Sequence, residues 1–139
     1  MLRVNHGRAG CERGAVAVEF ALIMPVLLLI LFGTIEFGRV YSEWQVFNGA
    51  AREGARCAAV QATEFNQCDV ATSIRDASQS YASDLAPESS WSITPAGGCT
   101  DATHGQDVTV SWPQPLKIDV PFWDNVTVTP TISATFRCE

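Results

Sequence analysis

Residues Ala15 to Ile35 form an apolar run of 21 residues in which Glu19 is the only charge. Wound as a helix at 1.5 Å per residue, the run reaches roughly 30 Å, the thickness of a bilayer core. Buried helices of soluble proteins are seldom so long and so free of charge, so the run predicts a membrane-spanning helix. Pro25 and Gly33 lie inside it, and both are tolerated better in membrane helices than in soluble ones. A carboxylate inside such a run costs about 3 kcal/mol on insertion scales, so Glu19 calls for a functional explanation.

A short basic leader precedes the run, with Arg3, Arg8 and Arg13 against Glu12. A secretory signal peptide shares that pattern, but here the run is too long and contains Glu19. Ile35-Glu36-Phe37-Gly38-Arg39 follows it in place of a small-x-small cleavage site. The three leader arginines outnumber Arg39 and Arg52 on the other side, which favours a cytoplasmic N-terminus.

Beyond the membrane the helical signal continues. Phe37, Val40, Trp44, Phe47, Ala51, Gly54 and Ala58 recur at steps of three and four, while Arg39, Glu43, Asn48, Arg52 and Arg56 fill the other face. The spacing predicts one helix from about Ala15 to about Ala62, on the order of 70 Å long. Its apolar stripe begins with large residues and becomes small at Gly49, Ala50, Ala51, Gly54, Ala55, Ala58 and Ala59, which would let another element approach closely. Glu64 to Cys68 reads as a turn. Asp69 reads as the N-cap of a second helix from Val70 to about Leu85.

From Trp91 the texture is that of strands. Trp91 to Thr94 alternates, and Asp107 to Trp112 alternates strictly, with Val108, Val110 and Trp112 on one side. Pro113 and Pro115 suit a strand end. Asn125 to Thr129 and Thr131 to Arg137 form a last β segment broken at Pro130. The predicted class is α+β, with a small antiparallel sheet carrying the helix on one face.

Five cysteines are present, and Cys11 lies in the leader. The other four, Cys57, Cys68, Cys99 and Cys138, all follow the span. Outside a reducing cytosol, four cysteines in so small a domain imply disulfides. Of the three pairings, Cys57–Cys68 with Cys99–Cys138 is the one expected. It closes a short loop between the helices and ties an early strand to the C-terminus. Gaps of 10, 30 and 38 residues include no C-x2-C pair, which disfavours zinc.

Other chemistry is sparse. His6 and His104 stand in no catalytic or metal motif, and the flanking of Val120-Pro121-Phe122-Trp123 by Asp119 and Asp124 is weak ground for a site. No enzyme activity, cofactor or metal is expected. From Gly38 onward six basic residues face twelve acidic ones, which argues against a nucleic-acid surface.

The stretch Arg13-Gly14-Ala15-Val16-Ala17-Val18-Glu19-Phe20-Ala21-Leu22, then Pro25, then Phe32-Gly33-Thr34-Ile35-Glu36-Phe37-Gly38-Arg39, and Asn48-Gly49-Ala50-Ala51-Arg52-Glu53-Gly54-Ala55-Arg56 resembles the TadE family. These are pilin-like components of the tight-adherence (Tad, type IVc pilus) system of bacteria. The resemblance covers residues 13 to 60. It implies cleavage by a prepilin peptidase between Gly14 and Ala15, which removes Cys11 with the leader. It also implies that Glu19 pairs with the N-terminal amine of a neighbouring subunit. Such a pair would offset the desolvation of both charges and fix register between helices. Glu36 and Arg39, three residues apart at the outer membrane boundary, could pair with each other.

The expected organisation is a leader at 1–14, a transmembrane segment at 15–37, an extramembrane continuation of the helix at 38–62, and a disulfide-stapled α+β extracytoplasmic domain at 63–139. The expected role is that of a structural minor pilin or pseudopilin, which primes, caps or supports a Tad/Flp-type adhesion pilus. It would span the bacterial cytoplasmic membrane once, N-terminus inside, or enter a surface pilus. Its partners would be the prepilin peptidase, other Tad pilins or pseudopilins, inner-membrane assembly proteins and the lipid bilayer. Two alternatives are an uncleaved membrane-anchored surface binding protein and a pseudopilin of a type II secretion system.

Overall fold

The computed structural model describes residues 9–60, 68–120 and 124–138, with side chains from Gly14 onward. The leader arginines, Cys11, His6, most of the turn expected at Glu64–Cys68, and Phe122 and Trp123 lie outside those described side chains.

One helix dominates. α1 runs from Ala9 to Ala59 and contains Pro25. It starts within the segment read as leader. From Val16 to Phe37 its large apolar side chains are all 40–72% exposed, whereas Phe47, Ala50, Ala51 and Ala55 are fully buried. The small residues of the outer half allow this burial. A Cβ on Gly54 would stand 2.6 Å from Cγ1 of Ile74, so only glycine lets the second helix seat so closely.

That second helix, α2, spans Val70–Ala77 and is shorter than the expected Val70–Leu85. Asp69 caps it as expected, accepting hydrogen bonds from the Ala71 and Thr72 backbone N–H groups. Ser78 ends it. The Ser78 hydroxyl is buried and donates to the Ile74 carbonyl, competing with continuation of the backbone ladder. The chain then turns through a short 3-10 segment at Gln79–Tyr81. Tyr81 and Leu85 still pack on the core from this looser path.

The strands are β1 (Ser92–Thr94), β2 (Asp107–Pro113), β3 (Leu116–Ile118), β4 (Val126–Val128) and β5 (Thr131–Arg137). They form two antiparallel sheets, not the single sheet expected: a three-stranded one in the order β1-β2-β5, and a two-stranded ribbon β3-β4. The division falls at the prolines. Pro130 separates β4 from β5, and its carbonyl accepts from the Gln114 N–H between β2 and β3. Val108, Val110 and Trp112 of β2, with Ile132 of β5, turn inward against the small face of α1.

Gln114 is fully buried and completely satisfied. Its amide nitrogen donates to the Asp84 carbonyl at 2.7 Å, and its amide oxygen accepts from the Ala86 N–H and the Trp112 indole N–H at 3.1 and 3.0 Å. One side chain thus ties the loop after α2 to the end of β2.

The far end of α1 is clamped. Cys57 is bonded to Cys68 and Cys99 to Cys138, each with Cα atoms 5.5 Å apart. The Cys99 N–H donates to the Ala58 carbonyl at 2.9 Å, satisfying one of the free carbonyls at the helix end. Gly98 makes this approach possible. It has φ +81°, and a Cβ there would meet the Ala58 oxygen at 2.9 Å.

Candidate functional site

Two features of α1 stand out from a merely structural helix. The first is the bare stretch from Gly14 to Phe37. Leucine, isoleucine, valine and phenylalanine surround it on all sides, and none of its large apolar residues is buried by the rest of the chain. α1 from Gly14 to Ala59 is the one described helix long and apolar enough to cross a membrane. Glu19 lies near its N-terminal end and is exposed. It stands one helical turn after Ala15, so an amine at Ala15 and this carboxylate would lie on the same face. Gly14 and Ala15 are themselves helical and exposed. Glu19 also shares a face with Phe37, since 18 residues make five turns.

The second feature is a polar knot where the bare stretch ends. Arg39 meets Glu36 in a bidentate pair, with Nη2–Oε1 at 2.5 Å and Nε–Oε2 at 3.1 Å. Both residues also reach across to the ribbon. Arg39 donates to the Lys117 carbonyl at 2.6 Å, and Glu36 accepts the Asp119 backbone N–H at 2.8 Å. Arg39 lies 3.6 Å from Glu43 and 3.7 Å from the Asp119 carboxylate. The i, i+3 spacing already brings Glu36 and Arg39 within reach of each other. The partners 78 and 83 residues away leave no local sequence signal, and β3 itself is only three residues long, directly after Pro115.

Glu43 is almost fully buried beside this knot. Burial pushes its carboxyl above the usual range and the charge of Asp84 adds to the effect, while Arg39 and Lys117 act the other way. A cavity of about 280 Å³ opens here, walled by Arg39, Lys117, Glu43, Asp84 and Asp119 among others. Its mixed charges select neither an anion nor a cation. Among the described residues no group of three or more His, Cys, Asp or Glu side chains could hold a metal ion.

On a flank of α1, Phe37, Tyr41 and Trp44 form an exposed aromatic ladder, with successive ring centroids 6.1 and 5.9 Å apart.

Neither a curated protein nor a solved structure matches the chain. A family model described as TadE-like protein matches residues 14–56. The match starts at Gly14, runs through the bare stretch and the Glu36–Arg39 pair, and ends inside the buried half of α1, before the domain that packs on it. Over that segment, less than half of its length, the chain is similar to TadE-like proteins.

Proposed function

We propose that the chain is a pilin-like structural component of a Tad pilus, held in the cytoplasmic membrane by the first half of α1. The supporting observation is that the family match and the bare apolar stretch coincide on one helix, whose other half is built into a disulfide-clamped domain. In this reading a prepilin peptidase cuts between Gly14 and Ala15. Residues 15–37 span the bilayer, 38–62 carry the helix out of it, and the domain at 63–139 stands on the extracytoplasmic side. Two disulfides suit that oxidising side, and the leader arginines suit the cytoplasm.

Glu19 is then an assembly contact. Released at Ala15, the amine of one subunit meets Glu19 of the next, and neither charge remains alone in the apolar layer. Partners would be the peptidase, other Tad pilins and the inner-membrane assembly proteins. The role is to prime, cap or support the fibre, and no catalytic step is assigned. Glu19→Ala should insert in the membrane at normal levels and fail to support piliation, scored by electron microscopy of cells. Normal piliation in that variant would remove the assembly role.

One observation favours a second reading, an uncleaved membrane-anchored surface protein. α1 continues without a break through Gly14 back to Ala9, so the bond to be cut lies inside a helix that a peptidase would have to unwind. The two readings divide on the N-terminus of the protein in the cell.

A further inference from the structure

The strands differ in how their edges are protected. β1, β3 and β4 have three residues each, and Pro95, Pro115 and Pro130 stand at or near their ends. β5 closes the larger sheet with seven residues, and its unbroken register against β2 holds no proline, lysine or bulge on the β5 side. Exposed edges of that kind are templates for another strand. The ladder fixes which groups are free. At its two ends the Gln114 N–H donates to the Pro130 carbonyl and the Cys138 N–H to the Gln106 carbonyl. In the register between them, Ile132, Ala134 and Phe136 turn their backbone groups to β2. The N–H and C=O groups of Thr131, Ser133, Thr135 and Arg137 therefore point away from β2, and none has a partner among the described residues. We propose that this outer edge of β5 is a docking site for an extended segment of a partner polypeptide, which adds a strand to the β1-β2-β5 sheet.

The backbone itself specifies the occupant. Donors and acceptors alternate along the edge at strand spacing, and only another extended main chain meets them all. The side chains add a pattern. Ser133 and Thr135 stand opposite Ser111 and Thr109 of β2, which stand opposite Ser92 and Thr94 of β1, so the outer face of the sheet is an uncharged array of hydroxyls. Ile132, Ala134 and Phe136 lie on the α1 side, where Phe136 remains 39% exposed. The incoming strand therefore alternates apolar with polar residues and sets its apolar ones beside Phe136. A second copy of this chain does not fit. β5 starts beside Gln114, close in sequence to the Lys117 carbonyl that meets Arg39, and ends at Cys138, which is bonded to Cys99 next to Ala58. It thus runs in the same sense as α1. Two β5 edges hydrogen-bond about a two-fold axis only when antiparallel, which points their α1 helices in opposite directions. Chains that cross one bilayer from the same side share a direction. That exclusion rests on the reading that residues 15–37 span the bilayer; the open edge does not.

The experiment follows amide hydrogen exchange by NMR on the full chain in phosphatidylcholine nanodiscs. In the chain alone, Ser133, Thr135 and Arg137 should exchange fast, while Ile132, Ala134 and Phe136 are protected by β2. The probe is a blocked peptide as long as β5 in which valine alternates with threonine. At millimolar peptide it should slow Ser133, Thr135 and Arg137 by about tenfold or more and leave Ile132, Ala134 and Phe136 as they were. The same peptide with proline at its centre should slow none of them. Thr135→Pro removes one outward N–H without touching the bonds to β2, and should abolish the effect at Ser133 and Arg137, with unchanged protection of Val110 reporting that the sheet is intact. Fast exchange at Ser133, Thr135 and Arg137 with the alternating peptide present overturns the proposal, as does equal slowing in the Thr135→Pro chain. Protection of the three amides without peptide also overturns it: the edge is then covered by a second copy if the protection grows with chain concentration, and by the chain itself if it does not. None of these outcomes bears on where the N-terminus is cut or on whether residues 15–37 span the bilayer.

Discussion

The two halves of α1 belong to one unbroken helix and are opposite in fate. From Val16 to Phe37 the side chains are large and point everywhere, and the chain covers none of them. From Glu43 to Ala59 the inward residues are mostly alanine and glycine, and the domain covers them completely. The difference is one of size and arrangement. Small residues on one face let α2 and two strands come within contact distance of the helix, and the polar residues opposite remain in water. Large residues all around leave no polar face for water, so such a helix needs an apolar solvent.

The strongest way to break this comparison is to exchange the glycines of the two halves. Gly54→Leu should cost about 3 kcal/mol in urea unfolding of the domain, measured on the full chain in detergent, because the new side chain collides with Ile74. Gly33→Leu should leave the same transition unmoved within about 0.5 kcal/mol, since nothing lies within 4 Å of a Cβ there. Equal effects would mean that the two halves are not differently covered.

Gln114→Ala comes next. It strands the Trp112 indole N–H, the Ala86 N–H and the Asp84 carbonyl inside the domain, at a cost of about 2 kcal/mol in the same assay. Insertion of the apolar half into membranes should not change, which carbonate extraction of cell membranes will check.

Glu43→Gln should have the smallest effect, and its sign depends on pH. The folded protein holds the Glu43 carboxyl above its usual range, chiefly through burial. The neutral form therefore fits the fold better, and its stabilising contribution is complete below the ordinary carboxylate range. It is lost as pH rises from the unfolded value through the raised folded one. The amide variant should match the parent at acid pH and gain slightly near neutrality, read as a shift in urea midpoint. A loss near neutrality would show that the attraction of Arg39 outweighs burial.

Much of this was legible in the residues themselves. Periodicity gives α1, because both its halves are long and regular. Strict alternation gives β2, and Asp69 announces the start of α2. The end of α2 was not legible, since Val70 to Leu85 keeps a helical pattern and only the back-bonded hydroxyl of Ser78 stops the helix. The ribbon was missed as a separate sheet because β3 and β4 have only three residues each, too few for an alternation to stand out. Gln114 gave no signal, as a polar residue between two prolines reads as surface loop. At the site, the resemblance to TadE singled out Glu19, and local spacing could pair Glu36 with Arg39. That the pair also holds the backbone of residues 117 and 119 depends on tertiary packing, which no local window contains.

The most direct test of the account is the N-terminus of the protein isolated from the membranes of the cell that makes it, read by peptide mass spectrometry. The account predicts a chain that begins at Ala15, with Glu19 four residues into the mature helix and Cys11 gone. A membrane-bound chain that still carries residues before Ala15 would contradict it.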